Sequence, residues 1–153
     1  MRFTAWRITK RKHVKTAFSG RGARKYGGRW NSPGTAIVYT AQTQSLAALE
    51  MLVHLDGPEL LQRYVLIGVE IDESLVRKVD PSDLPRNWRA DPAPLGSRKI
   101  GDEWVESGAS AVLQIPSTLV PAESNFLLNP GHVDFAKLVV GEPVGFDFDS
   151  RLI

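Results

Sequence analysis

Arg29 and Glu50 are the residues whose surroundings best suit chemistry on an anionic substrate. Arg29 lies in the run Gly27-Gly28-Arg29-Trp30-Asn31-Ser32-Pro33-Gly34. Glycine lets the backbone approach a ligand closely. The N–H groups of such a turn can cradle a phosphate, and a guanidinium beside them can grip it through two hydrogen bonds. On spacing alone, an Arg29 that covers Trp30 and pairs with a carboxylate is an equal reading. The run is not a Walker loop, because the Gly-Lys-Ser/Thr ending is absent. Nor is it a dinucleotide fingerprint, because Gly20-x-Gly22 lacks the third glycine and the helix after it. Glu50 is the first acidic residue of the chain. Ten of the nineteen Lys/Arg precede it, and all seventeen acids lie from position 50 onward. A basic, glycine-rich half ending at one glutamate suggests an anionic ligand held near one carboxylate.

Three further positions bear on this chemistry. Tyr39 closes a short apolar strand and can either stack on an aromatic ring or pack into the core. Glu50, between Leu49 and Met51, reads as a residue of an exposed helical stripe or as a carboxylate facing a cleft. Ser117 follows Pro116 and reads first as a turn serine. No Gly-x-Ser-x-Gly elbow surrounds it, which disfavours a hydrolase triad. His13, His54 and His132 show no metal spacing, and no metal is assigned. The absence of cysteine excludes disulfides and thiolate chemistry.

The elements that must position these residues follow from pattern. Residues 2–8 read as a strand and residues 16–34, with five glycines, as a loop with tight turns. Residues 36–40 form a β-branched strand. Thr43 or Ser45 caps a helix with Leu46, Leu49 and Val53 inward, stopped by Gly57-Pro58. Residues 63–71 form a central strand. Residues 80–96 form an irregular excursion holding four of the ten prolines. A helix over 99–107 turns Ile100 and Trp104 inward. Strands follow at 109–115, 126–128 and 135–140, with Asn129-Pro130 as a turn. The paired acids Asp147 and Asp149 read as solvated. Strands interspersed with a few helices predict one α+β domain over residues 1–153, with a mixed or antiparallel sheet.

Composition sets the bounds. The chain has 153 residues, 42% hydrophobic and 24% charged, with net charge +2, as in an ordinary globular domain. No apolar run approaches a membrane span and no signal-peptide pattern opens the chain, so the cytoplasm is expected. The cluster Lys10-Arg11-Lys12-His13-Val14-Lys15 reads first as a solvated face. Trp6, Phe18, Tyr26 and Trp30 interleave with basic residues, so a nucleic-acid-binding module is the alternative from outside enzymology.

The ordered set Gly22-Ala23, Gly27 to Gly34, Tyr39, Leu46-Ala47-Ala48-Leu49-Glu50, Ile115-Pro116-Ser117, Glu123 to His132 and Phe148 to Leu152 resembles the RES domain. That family is named for an arginine, a glutamate and a serine, matched here by Arg29, Glu50 and Ser117. The resemblance implies a fold similar to ADP-ribosyltransferase toxins and the toxin role of a bacterial type II toxin–antitoxin pair. It implies NAD as substrate rather than cofactor, cleaved at the nicotinamide–ribose bond, with ADP-ribosyl transfer to a protein as the enzymatic alternative. It implies Glu50, Arg29, Tyr39 and Ser117 as catalytic, and Arg29, Tyr39, Ser117 and Asn129 as NAD-binding. The partner it implies is an Xre-like antitoxin that blocks the cleft. The chemistry suits one carboxylate: cleavage develops oxocarbenium character at the ribose, and nicotinamide leaves as a neutral amine without a general acid.

Overall fold

The computed structural model describes residues 1–152. Eight strands form one mixed sheet: β1 (Arg2–Lys10), β2 (Val38–Ala41), β3 (Tyr64–Asp72), β4 (Val76–Lys78), β5 (Val112–Pro116), β6 (Ser124–Leu128), β7 (Val139–Val140) and β8 (Val144–Phe146). The order is β4-β5-β6-β2-β1-β3-β7, with β8 also pairing β3. Only β4 and β5 run parallel. Three α-helices accompany it: α1 (Arg21–Tyr26), α2 (Gln44–Leu52) and α3 (Leu95–Ser107). This is the α+β architecture with a mixed sheet that the sequence predicts.

Both sheet faces are covered. Ala5, Val38, Val69, Ile71, Val112, Phe126 and Leu128 form the core on one face. On the other, Trp30, Ile37, Trp104, Leu113, Ile115 and Leu127 pack together, with Ile100 and Tyr39 against them. Ala41, Ile8, Leu46, Ala47 and Tyr64 continue this second face under α2. Side chains alternate along a strand, so Tyr39 and Ala41 project from β2 toward the side that α2 covers.

Five local expectations are corrected. Residues 21–26 of the expected loop form α1, because Gly20 (φ 72°) and Gly27 (φ 76°) supply the positive-φ backbone at its two ends. Gly57-Pro58 does not stop α2, which ends at Leu52; it opens a 3-10 turn, Gly57–Leu61, with Asp56 and Glu59 forming a capping box. The third helix begins at Leu95, within the expected excursion, four residues earlier than its apolar pattern suggests. Residues 135–137 belong to a 3-10 turn, Val133–Lys137, and of the expected strand only Val139–Val140 forms one, β7. The 63–71 strand exists as β3, but it lies next to the sheet edge, flanked outward only by the short β7 and β8.

The aromatic residues interleaved with the basic half do not form a stacking platform. Trp30 is buried, Trp6 and Phe18 pack against core clusters, and only Tyr26 is largely exposed. Lys10 is tied to Glu59 at 2.9 Å. No helix among the described residues is long and apolar enough to cross a membrane.

Candidate functional site

Glu50 faces inward because of how α2 rotates. Thr43 caps the helix, its hydroxyl accepting from Leu46 N at 3.0 Å and donating to Glu123 Oε1 at 2.8 Å. The cap pins the first turn so that Leu46 and Ala47 are the buried positions, while Leu49 (44%) and Val53 (57%) are exposed. The expected stripe through Leu49 and Val53 is therefore wrong. Glu50 stands four residues after Leu46 and three after Ala47, on their face.

Ser117 meets it there. Ser117 is fully buried. Its hydroxyl donates to Glu50 Oε1 at 3.0 Å and accepts from the N–H groups of Leu119 (3.1 Å) and Val120 (3.2 Å). Both its lone pairs and its proton are thus engaged, and in this arrangement Ser117 orients the carboxylate. The turn it caps is fixed by Ser117 N donating to Glu123 O at 2.9 Å.

Arg29 and Tyr39 form a second group. The Gly27–Asn31 turn is closed by Gly28 N donating to Asn31 O at 3.0 Å. Gly28 has to be glycine: a Cβ there would lie 2.6 Å from the Tyr39 hydroxyl. That hydroxyl donates to Asn31 Oδ1 at 2.6 Å and accepts from Trp30 N at 3.0 Å. Burial raises the phenol's pKa well above its ordinary value, so it remains a donor across the neutral range. Asn31, completely buried, also donates to the carbonyls of Ala23 (2.9 Å) and Thr35 (3.0 Å). Tyr39 thus locks the turn that carries Arg29.

The guanidinium of Arg29 reaches across to the proline-rich excursion. Nη1 donates to Ala90 O at 2.7 Å and Trp88 O at 3.3 Å, and Nη2 lies 3.9 Å from Asp91 Oδ1. The excursion touches the Ser117 turn as well: Arg89 Nε donates to Thr118 O at 2.9 Å. The two groups, Arg29–Tyr39 and Glu50–Ser117, are therefore bridged by one segment on one side of the sheet.

Asn129 is not brought to this pair. It follows β6 at the end opposite Ser117, about 20 Å away along the β5–β6 pair. Its N–H donates to Ala111 O and its Oδ1 accepts from Gly131 N, as in a turn. Three contributors were given no role by the sequence. Asn31 is the hub of the arginine turn. Asp102 on α3 accepts from Ser32 N at 2.9 Å. Arg7 on β1 donates to the Tyr39 carbonyl at 3.1 Å, and burial pulls its pKa down to about 10. Alternation of polar and apolar residues could have flagged Arg7 as facing the interior of a strand, but not its partner.

Tyr39→Phe tests the lock. It keeps the ring and orphans two buried partners, Trp30 N and Asn31 Oδ1, so a loss of roughly 2–3 kcal/mol in unfolding free energy is expected. Urea denaturation measures it. A variant within about 0.5 kcal/mol of wild type would show that the hydroxyl does not hold the turn.

The family model described as RES domain matches residues 4–149. A protein named Toxin Res from Yersinia enterocolitica is 45% identical over 148 residues, covering 96% of this chain and 97% of the relative. A Photorhabdus laumondii protein of the same name is 41% identical, covering 97% and 96%. The Prs ADP-ribosylating toxin of a Sphingobium species is 38% identical, covering 97% and 95%. Among solved structures, the M. tuberculosis MbcT–MbcA toxin–antitoxin complex contains a chain of like fold, with TM-score 0.75 and 17% identity, covering 96% of this chain and 85% of that one.

Proposed function

The chain belongs to the RES-domain family of toxins, and from that premise we propose that it consumes NAD by breaking the bond between nicotinamide and ribose. The observation that carries the reading is the buried Ser117 hydroxyl fixing the Glu50 carboxylate on the sheet face from which Tyr39 also projects. As the bond to the anomeric carbon lengthens, its electron pair goes to the pyridinium nitrogen, which becomes neutral. Positive charge builds on the ribose, and a carboxylate already oriented toward it lowers the barrier without reorganising. Water or phosphate then adds its oxygen to that carbon, losing a proton. Arg29 supplies the cation for the pyrophosphate. The Tyr39 ring offers a flat face for nicotinamide.

ADP-ribosyl transfer to a protein is the second reading, favoured by the Sphingobium relative named as an ADP-ribosylating toxin. It uses the same bond cleavage with a different acceptor. The partner fits as an Xre-like antitoxin that inserts an acidic or carboxylate-ended segment over the site, since the chain's first 49 residues hold ten basic residues and no acid. Such a toxin would act in the cytoplasm, where NAD and its antitoxin meet it.

Binding tests the reading. Calorimetric titration with NAD should show saturable binding, and Arg29→Ala should weaken it by about tenfold or more, because a charge-assisted contact present in both ground and transition states is lost. Absence of NAD binding at millimolar concentration would overturn the proposal.

A further inference from the structure

We infer that residues 85–94 form a strap across the site, and that a phosphate-bearing ligand gains Arg29 by displacing it. The inference rests on the assignment of Arg29 to a phosphate. In the state described, one side of the guanidinium is already committed to this segment. The donors of Nη1 are taken by the carbonyls of Trp88 and Ala90, and the Asp91 carboxylate stands 3.9 Å from Nη2, where it competes with an anionic ligand for the same cation. The strap is fastened on both sides. Trp88 stacks on Trp30 with ring centroids 6.3 Å apart and planes 27° apart. Arg89 holds the opposite side to Thr118, next to Ser117. Two surface concavities of the molecule lie elsewhere, one lined by Arg2, Phe3, Gly68 and Val139, the other by Lys10, Arg11, Lys12 and Arg63. Neither is lined by Arg29, Tyr39, Glu50 or Ser117.

The fastening is weak enough to exchange. Arg86, Asn87, Arg89, Ala90, Asp91 and Pro92 are all exposed, so the strap buries little beyond the Trp88 ring. Segments with few buried contacts open at low cost. Arg29 gives up two neutral carbonyl acceptors and gains charged phosphate oxygens, which form hydrogen bonds roughly twice as strong. The Asp91 side chain is 94% exposed, so solvent screens its attraction to Arg29. The strap therefore acts as an internal competitor that lowers apparent affinity by the fraction of molecules in which it is open.

The experiment is hydrogen exchange of the amides of residues 86–91, with binding measured in parallel, on the wild-type chain and on Arg89→Met. Inorganic pyrophosphate and NAD are the probes. Arg89 is exposed and its loss cuts the strap's far fastening without touching Arg29. We expect faster exchange at 86–91 in Arg89→Met without ligand, faster exchange in wild type on adding pyrophosphate, and pyrophosphate affinity about three- to tenfold tighter in the variant. Slower exchange at 86–91 on adding pyrophosphate, weaker binding by Arg89→Met, or no binding of pyrophosphate to either protein would overturn the strap. If pyrophosphate opens the strap while NAD does not bind, the strap stands and the NAD reading falls. If NAD binds with exchange at 86–91 unchanged, the strap falls and the NAD reading stands.

Discussion

Glu50→Gln should bind NAD about as well as the wild-type chain and turn it over roughly 10²–10³-fold more slowly, the loss typical of removing one preorganised electrostatic group. The amide keeps an oxygen able to accept from Ser117, whose hydroxyl donates to Glu50 Oε1 at 3.0 Å. Shape and the hydrogen bond survive, and only the negative charge goes. That charge matters where positive charge has built up on the ribose, which is mainly in the transition state, so kcat should fall with little change in binding. Unfolding should barely move, because α2 is held by Thr43, Leu46 and Ala47 and not by Glu50. Calorimetry, turnover and thermal unfolding on the same sample separate these effects. A folded variant with wild-type turnover would remove Glu50 from the mechanism.

Gly101→Ala should lower unfolding free energy by more than about 3 kcal/mol, beyond the usual range for one added methyl in a packed interior. For a chain of this size that is roughly 6–12 °C in Tm. Helix propensity alone predicts the opposite sign, a gain of about 1 kcal/mol for alanine over glycine. Geometry decides between them. A Cβ at Gly101 would lie 1.8 Å from the Trp30 carbonyl oxygen and 2.9 Å from its carbon. Both neighbours are backbone and cannot rotate away. The Trp30 peptide is further fixed by its N–H on the Tyr39 hydroxyl. Either α3 lifts or the Arg29 turn shifts, and NAD affinity should drop along with stability. Wild-type stability in this variant would show that α3 does not seat on the arginine turn as described.

The legible and illegible parts of the molecule divide on physical grounds. β1 and β3 read clearly because long alternating or apolar runs leave no other use for their side chains. Thr43 read clearly as one of two caps, since a hydroxyl before an apolar helix has a defined role. Arg29 and Glu50 stood out by residue type and position, and Tyr39 and Ser117 gained a role only through the family resemblance; the Glu50–Ser117 hydrogen bond and the lock of the arginine turn by Tyr39 came from the structure alone. Which way Glu50 faced was not legible: Leu46, Leu49 and Val53 make an equally good apolar stripe, and only the tertiary cap chooses Leu46 and Ala47. Helix α1 was hidden because glycine argues against a helix locally while serving at its ends. The partners of Arg29 are main-chain carbonyls at 88 and 90, which leave no mark on residue identity. Asn129 was drawn to the site by its place in the family motif, whereas its side chain serves the turn after β6.

Glu50 and Arg29 are proposed to serve one site that severs nicotinamide from NAD. The most direct test is to follow the nicotinamide signal by proton NMR in a mixture of NAD and the purified chain, in phosphate-free buffer and again with phosphate. The expected result is loss of NAD with matching release of free nicotinamide. ADP-ribose should appear if water is the acceptor, and its phosphorylated form if phosphate is. NAD that persists unchanged at enzyme concentrations approaching that of the substrate would rule out NAD cleavage at this site.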